Sequence, residues 1–545
     1  MNVPNPRQID WREWHTLFRA IPDELVQNTR YYRHLPDVEW SLYLFPPSTH
    51  TVYGNRLLRK LRFDNSPAAL RLWGFVLSEC ERLYRAKQAG MKVVAVMGDL
   101  GAVTPLIYSF PNTIAFYPDC LWWTPFLMES RVLFEEAAML GLSEDCCYVR
   151  AALGGFARRA YFPRPDLCIA TVGATCDDMA AVTAGVERLG CTVRYLELPH
   201  RADREKSLQQ CYPPFNSPPQ SGGEKDNSSQ SGGEKDGSPR RGGEKNNRSQ
   251  IGRDEKYHPR DELRSYIAGQ HLKLCGWLED LTGAKFNLNR YSATIHKVNH
   301  LRKTIADLKD LITTSGPNPM GALEMLNAEF AALSYYGDLD ECCAVLDELH
   351  KTVEWRVKKR AGYPNQSVKL LWLTPPADPL LLNYVEELGG RIVATEYLIN
   401  QTTPLISIEN DKTAQLPSDE HHRSFGRESI FLPLSEAQLS GSLISSSDYR
   451  IGLALQYAGK SRANGAVISG VFGSSHCPYE TAPLVEALRQ AGIPTLAFDV
   501  VAPGKVRMQA QLLNRIEAFI EMLKNRKNAN IDADADGDAD ERGRI

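Results

Sequence analysis

The sequence predicts an α/β protein: two open parallel-sheet domains of the Rossmann or flavodoxin type, joined by a helical segment and preceded by an N-terminal helical arm. Three observations predict it. Short β-branched runs alternate with helical stretches in two separate parts of the chain, the pattern of βαβ crossovers. A long stretch between them carries only helical periodicity. The length, 545 residues, is enough for several domains with sizeable cores.

In chain order, residues 1–89 read as the helical arm, with aromatic and leucine positions at helical spacing from Ser66 to Arg85. The first α/β domain, 90–212, opens with the run Lys92 to Met97, closed by Gly98-Asp99-Leu100-Gly101, which reads as a buried parallel strand feeding a turn. A helix pattern covers Thr124 to Leu140. A strand from Leu167 to Val172, a helix from Met179 to Leu189 and a strand from Thr192 to Pro199 complete the series. Residues 213–256 shift to Gly, Ser, Asn, Lys and Glu, and Gly-Gly-Glu-Lys recurs at Gly222, Gly232 and Gly242. With almost nothing apolar to bury, this insertion is expected to be disordered rather than a binding repeat.

The helical segment, 257–366, carries an apolar stripe of Leu301, Ile305, Leu308, Leu311 and Ile312. The second α/β domain, 367–526, reads as strand Val368 to Leu373, helix Leu380 to Leu388, strand Arg391 to Ala394, strand Ala466 to Val471, helix Tyr479 to Ala491, strand Pro494 to Phe498 and helix Gln509 to Lys524. A loop is expected near Leu416 to Arg427. Residues 527–545 read as an acidic disordered tail. Asp532, Asp534, Asp536 and Gly537 imitate the first half of a calcium loop, but the twelfth position is Gly543, which offers no carboxylate.

Hydrophobic residues make up 43%, charged residues 24%, and the formal net charge is -3, which gives no electrostatic case for nucleic acid. Met1 to Gln8 lack the apolar core of a signal peptide and no run approaches the roughly 18 apolar residues of a membrane span, so the expected location is cytoplasmic. Twelve cysteines in such a chain point to metal, redox chemistry or packing rather than disulfides.

No Gly-x-Gly-x-x-Gly follows a strand, and the phosphate loop, His-Glu-x-x-His and Gly-x-Ser-x-Gly are all missing. His421-His422 lies in a polar stretch and is not taken as a metal site. The cysteines remain. Ligands bind parallel sheets beyond the carboxyl ends of strands. Cys176 follows a strand and precedes a helix, and Cys477, in Gly473-Ser474-Ser475-His476-Cys477-Pro478, does the same in the second unit. Cys146-Cys147 precedes the Gly154-Gly155 turn. Three thiolates suit an iron–sulfur core and leave one iron open. Small core thiols are the alternative, and the better account of Cys80, Cys168, Cys191, Cys275, Cys342 and Cys343.

The stretch Cys146-Cys147-Tyr148-Val149-Arg150-Ala151-Ala152-Leu153-Gly154 resembles the Cys-Ser-x-x-Arg/Lys-x-x-x-Gly element of the 2-hydroxyacyl-CoA dehydratase D-component family, which includes benzoyl-CoA reductase subunits. Pro165-Asp166-Leu167 followed by Cys176-Asp177, Trp277 to Gly283, and Gln511 to Glu521 resemble it in the same order, so the similarity runs from about Lys92 to Lys524.

The resemblance implies a 4Fe-4S cluster on Cys146, Cys176 and Cys477. Cys147 stands where the family has serine and is an alternative first ligand, and Cys120, beside Trp122-Trp123, is an extra candidate. It also implies elimination of water from a 2-hydroxyacyl-CoA through a ketyl radical, with electrons from an ATP-hydrolysing iron–sulfur activator and with a related second subunit as partner. His476, Ser474 and Ser475 are the expected hydrogen-bond donors to cluster or substrate. ATP-dependent reduction of an aromatic acyl-CoA, or a non-catalytic electron-transfer subunit, are the rival readings.

Overall fold

The computed structural model describes residues 4–20, 60–98, 101–118, 131–143, 146–200, 259–364, 366–374, 378–397, 404–407, 427–441, 446–474, 477–500 and 510–542. The 213–256 insertion, the loop near 416–427, Cys120, His421-His422, Ser475 and His476 lie outside them.

The chain opens with a small antiparallel pair, β1 (Gln8–Ile9) with β2 (Phe63–Asp64), and a helix at Trp11–Ala20. Pro67–Leu77 and Glu79–Gln88 follow as helices. Ser66 caps the first, accepting from the Ala69 amide at 3.3 Å, with Pro67 at the first helical position, where its missing N–H is not needed.

Two four-stranded sheets follow, each parallel throughout. The first holds β3 (Lys92–Met97), β4 (Thr113–Phe116), β5 (Leu167–Gly173) and β6 (Val193–Leu198), in the order β4-β3-β5-β6. The second holds β7 (Val368–Leu373), β8 (Gly390–Glu396), β9 (Gly465–Val471) and β10 (Thr495–Val500), in the order β8-β7-β9-β10.

The registers of the two sheets match pair by pair. The first residue of β3, Lys92, faces the first of β4, Thr113, as Val368 of β7 faces Gly390 of β8. Val94 faces Leu167 as Leu370 faces Gly465, and Cys168 faces Val193 as Ala466 faces Thr495. The second sheet departs only by a register shift between Leu370 and Leu371. One architecture therefore occurs twice. In both copies the strand order reverses beside the first strand, which puts a switch point beyond the carboxyl ends of β3 and β5 and again beyond those of β7 and β9.

Between the sheets in sequence, the described residues form the α-helices Pro259–Thr282, Leu288–Thr314, Ala322–Ser334 and Leu339–Lys358. Asn287 and Asp338 cap two of them, accepting from the Arg290 and Glu341 amides, each at 3.0 Å. Leu301, Ile305, Leu308 and Ile312 of the expected stripe are buried, and Leu311 is half-buried at its edge. The Pro67–Leu77 helix packs against Leu339–Lys358 and Ala322–Ser334, so this part of the N-terminal segment belongs to the helical core.

A buried ion pair and buried hydrogen bonds join these parts. Arg356 holds Asp64 at 2.6 Å, and Glu324 accepts from the Asp64 amide at 2.9 Å and from the Trp73 indole at 3.0 Å. One continuous apolar cluster runs from the first sheet through the helices to β7, β8 and β9, while Leu371, Leu373, Ala466 and Ile468 form a second cluster with Ala454, Ala458, Leu484 and Leu488. The final helix spans Ala510–Arg542, so it continues through most of the segment read as a tail.

Candidate functional site

Cys176 lies at the first switch point. β5 ends at Gly173, whose φ of +99° and whose position against the Leu198 carbonyl, 2.4 Å from where a Cβ would be, allow no side chain. The chain then turns through Thr175, whose hydroxyl donates to the Thr171 carbonyl at 2.9 Å, into Cys176, the extended cap residue of the Asp177–Arg188 helix. The thiol is half-buried, free of any disulfide, and 3.6 Å from the Asp178 carboxylate. Across the crevice β3 ends at Gly98, where a Cβ would stand 3.0 Å from the Thr171 carbonyl.

Cys146 and Cys147 lead into the turn Tyr148–Arg150, and that turn packs on the helix that Cys176 caps. The structure thus brings two of the expected ligand stretches together around one helix. The buried Arg150 side chain folds back and donates to the carbonyls of Cys146 and Cys147, the latter at 3.3 Å, with its guanidinium 4.8 Å over the Phe134 ring. Cys146 is half-buried, whereas Cys147 is only 4% exposed and part of the apolar core. The spacing of the motif acquires a physical basis here. Arg150 clamps the cysteine backbone, and Gly154 lets the Ala151–Arg158 helix approach so closely that a Cβ would lie 2.0 Å from the Leu133 carbonyl.

The second switch point also turns on a positive-φ glycine, though at a different register position. After β9, Gly473 takes φ +77°, the Ser474 amide donates to the Val471 carbonyl at 3.1 Å, and a short 3-10 turn runs Cys477–Glu480. Counted from the paired residues Leu167 and Gly465, Ser474 falls at the position of Cys176, and Cys477 lies three residues further on. The side chain of Cys477 is outside the described residues, as are Ser475 and His476, while Ser474 is buried at 8% exposure. Among the described residues no group of three His, Cys, Asp or Glu side chains is arranged to hold a metal.

Sequence reasoning missed the anchor of this turn. Arg450, buried at 1% exposure on the Ser447–Ser461 helix, bridges Glu396 at the end of β8, at 2.7 Å, and Glu480 at the end of the Cys477 turn. Burial opposes its charge, but the two carboxylates override that and raise its pKa. Ser447 also donates to Glu480 at 3.3 Å. A lone buried arginine on a helix is the available sequence signal, but the partners are far away in the chain.

Two parallel sheets of matching register, each followed at its switch point by a loop that carries or leads to a cysteine, define a duplicated α/β architecture. Residues 254–523 match the family described as 2-hydroxyglutaryl-CoA dehydratase, D-component. The matched stretch contains Cys477, and the first sheet with Cys146 and Cys176 precedes it. No curated protein matches the chain. Among the described residues no helix is long and apolar enough to cross a membrane.

Proposed function

We propose that the chain is a subunit of an iron–sulfur dehydratase that eliminates water from a 2-hydroxyacyl-CoA, working with a related second subunit and an ATP-hydrolysing iron–sulfur activator. The match of residues 254–523 to the 2-hydroxyglutaryl-CoA dehydratase D-component family carries this reading. The repeat of the first sheet's register in the second supports extending it to the Cys176 loop.

The donor set fits a 4Fe-4S cluster on chemical grounds: soft thiolates suit iron–sulfur cores, and Cys146 and Cys176 are half-buried thiols on neighbouring elements. Cys146, Cys176 and Cys477 are the proposed ligands, with Cys146 preferred to Cys147 because it is the more accessible. A bound cluster would supply single low-potential electrons to a thioester carbonyl, the chemistry that a ketyl-radical elimination requires.

The chain's own residues prepare the site. The amino end of the Asp177–Arg188 helix is a favourable place for the negative charge of a ligating Cys176. Asp178 is placed to accept the Cys176 proton's hydrogen bond before ligation. Arg150 and the Glu396–Arg450–Glu480 bridge hold the two outlying turns in position. Ser474, with Ser475 and His476, is proposed to donate hydrogen bonds to cluster or acyl-CoA.

The test is iron and acid-labile sulfide analysis with EPR on anaerobically prepared protein, for wild type and for Cys146→Ala, Cys147→Ala, Cys176→Ala and Cys477→Ala. About four irons per chain, as a 4Fe-4S cluster requires, lost in every variant but Cys147→Ala, are expected. Wild-type protein that stays iron-free after anaerobic reconstitution overturns the reading.

A further inference from the structure

We propose that Cys168 and Cys191 form a reversible dithiol–disulfide pair, with Cys191 as the attacking thiol and Cys168 as the thiol that closes the bridge. The pair lies at the amino end of β5, the opposite end of that strand from Cys176, so it is separate from the proposed cluster site.

The geometry comes from the sheet. Cys168 faces Val193 across the β5/β6 ladder and its amide donates to the Thr192 carbonyl at 2.8 Å. Cys191 stands two residues before Val193, which in an extended chain puts it on the same face as Cys168. The two thiols are close enough to shift one another's ionisation.

Their surroundings differ. Cys168 is fully buried, whereas Cys191 forms part of the wall of a cavity of about 120 Å³ with Phe156, Phe162, Arg159 and Arg164. Arg164 is fixed beside it by donating to the Gly190 carbonyl. The contact with Cys168 outweighs burial and, with the Arg164 charge, brings the Cys191 pKa down to about 7, while the same contact and burial push Cys168 well up. One thiol is thus poised as a thiolate at a cavity wall and the other is held protonated behind it.

Two exposed guanidiniums at the cavity select a small anionic disulfide, of which glutathione disulfide is the probe. The Cys191 thiolate attacks one sulfur, the reagent's S–S bond breaks, and one glutathione leaves as thiolate and takes up a proton from water. Cys168 then loses its proton to solvent and attacks the Cys191 sulfur, displacing the second glutathione. Two protein thiols are oxidised and one disulfide is reduced to two thiols. Excess reduced glutathione reverses the sequence. The product ties β5 covalently to β6.

The experiment treats reduced full-length protein with glutathione disulfide at pH 7.5, alkylates the remaining thiols and maps peptides by mass spectrometry. Fragment ions separate Cys168 from Cys176, which shares its tryptic peptide. A Cys168–Cys191 bridge is expected in wild type, and a persistent glutathione adduct on Cys191 in Cys168→Ala. In untreated wild type, iodoacetamide should label Cys191 at least tenfold faster than Cys80 or Cys342. That comparison needs no variant to fold. The proposal is overturned if Cys191 labels no faster than those buried thiols, or if wild type accumulates the adduct without ever forming the bridge.

Discussion

Replacing Glu324 by glutamine should change how stability responds to pH. The Glu324 carboxyl is wholly buried on the Ala322–Ser334 helix, and burial together with the Asp64 charge raises its pKa from 4.5 to about 7. A carboxyl whose pKa is higher in the folded state is neutral there while its unfolded counterpart ionises. Its contribution is therefore fully present below about pH 4.5 and is lost as pH rises through about 7. At about 1.4 kcal/mol per pKa unit, that loss is roughly 3 kcal/mol.

Glutamine keeps an oxygen to accept from the Asp64 amide and the Trp73 indole but cannot ionise. Glu324→Gln should thus match wild type near pH 5 and exceed it near pH 8 by up to roughly 3 kcal/mol. The assay is urea denaturation followed by tryptophan fluorescence at pH 5, 6.5 and 8, comparing midpoints of the first transition. Reading the difference from wild type isolates this group, because buried His271, lowered to about 4 by desolvation, makes its own contribution fade in the opposite direction, on acidification. Midpoints that move in parallel for the two proteins across the range would refute the reasoning.

Arg450→Met should be the most damaging of the buried charge changes, because it strands Glu396 and Glu480; removing one partner of such a bridge costs about 3–5 kcal/mol. Its thermal midpoint should drop, and reconstituted iron should fall further than in an equally destabilised variant remote from the site. Gly154→Ala should destabilise by about 1–3 kcal/mol, since its methyl meets the Leu133 backbone. Gly269→Ala, on the Pro259–Thr282 helix with open space around it, should instead stabilise by roughly 0.5–1 kcal/mol, and paired thermal melts check both signs. Glu386→Gln should add to the Glu324→Gln effect above pH 8, because burial lifts that carboxyl to about 8.

The fold was legible where hydrophobic pattern and turn chemistry agree. The strands Lys92–Met97 and Val368–Leu373 form where their short, mostly apolar runs indicate, since strands buried on both faces need no alternation. β4 was missed because Thr113–Phe116 is too short to carry a period. The Ser447–Ser461 helix was missed because Gly452 and Gly459 lower its propensity, and packing on β7 and β8 supplies what propensity lacks. In the candidate site, the strand-to-helix turn at Cys176 could be read directly. Arg150 and Gly154 were visible as letters of a motif but not as a clamp and a close approach. Arg450, Glu396 and Glu480 could not be connected, because their bonds join residues 54 and 30 positions apart.

The doubled architecture is also unequal at one matching point. Where β3 ends on Gly98, β7 ends on Thr374, again with positive φ, at +62°. Glycine adopts that conformation freely, whereas a β-branched residue there is strained by about 1–3 kcal/mol. Thr374 is held to it by its hydroxyl, which reaches the Ser469 carbonyl, the register counterpart of the Thr171 carbonyl that faces bare Gly98. The same register point is thus unstrained in one half of the molecule and strained in the other, so the two halves differ locally where their strand registers do not.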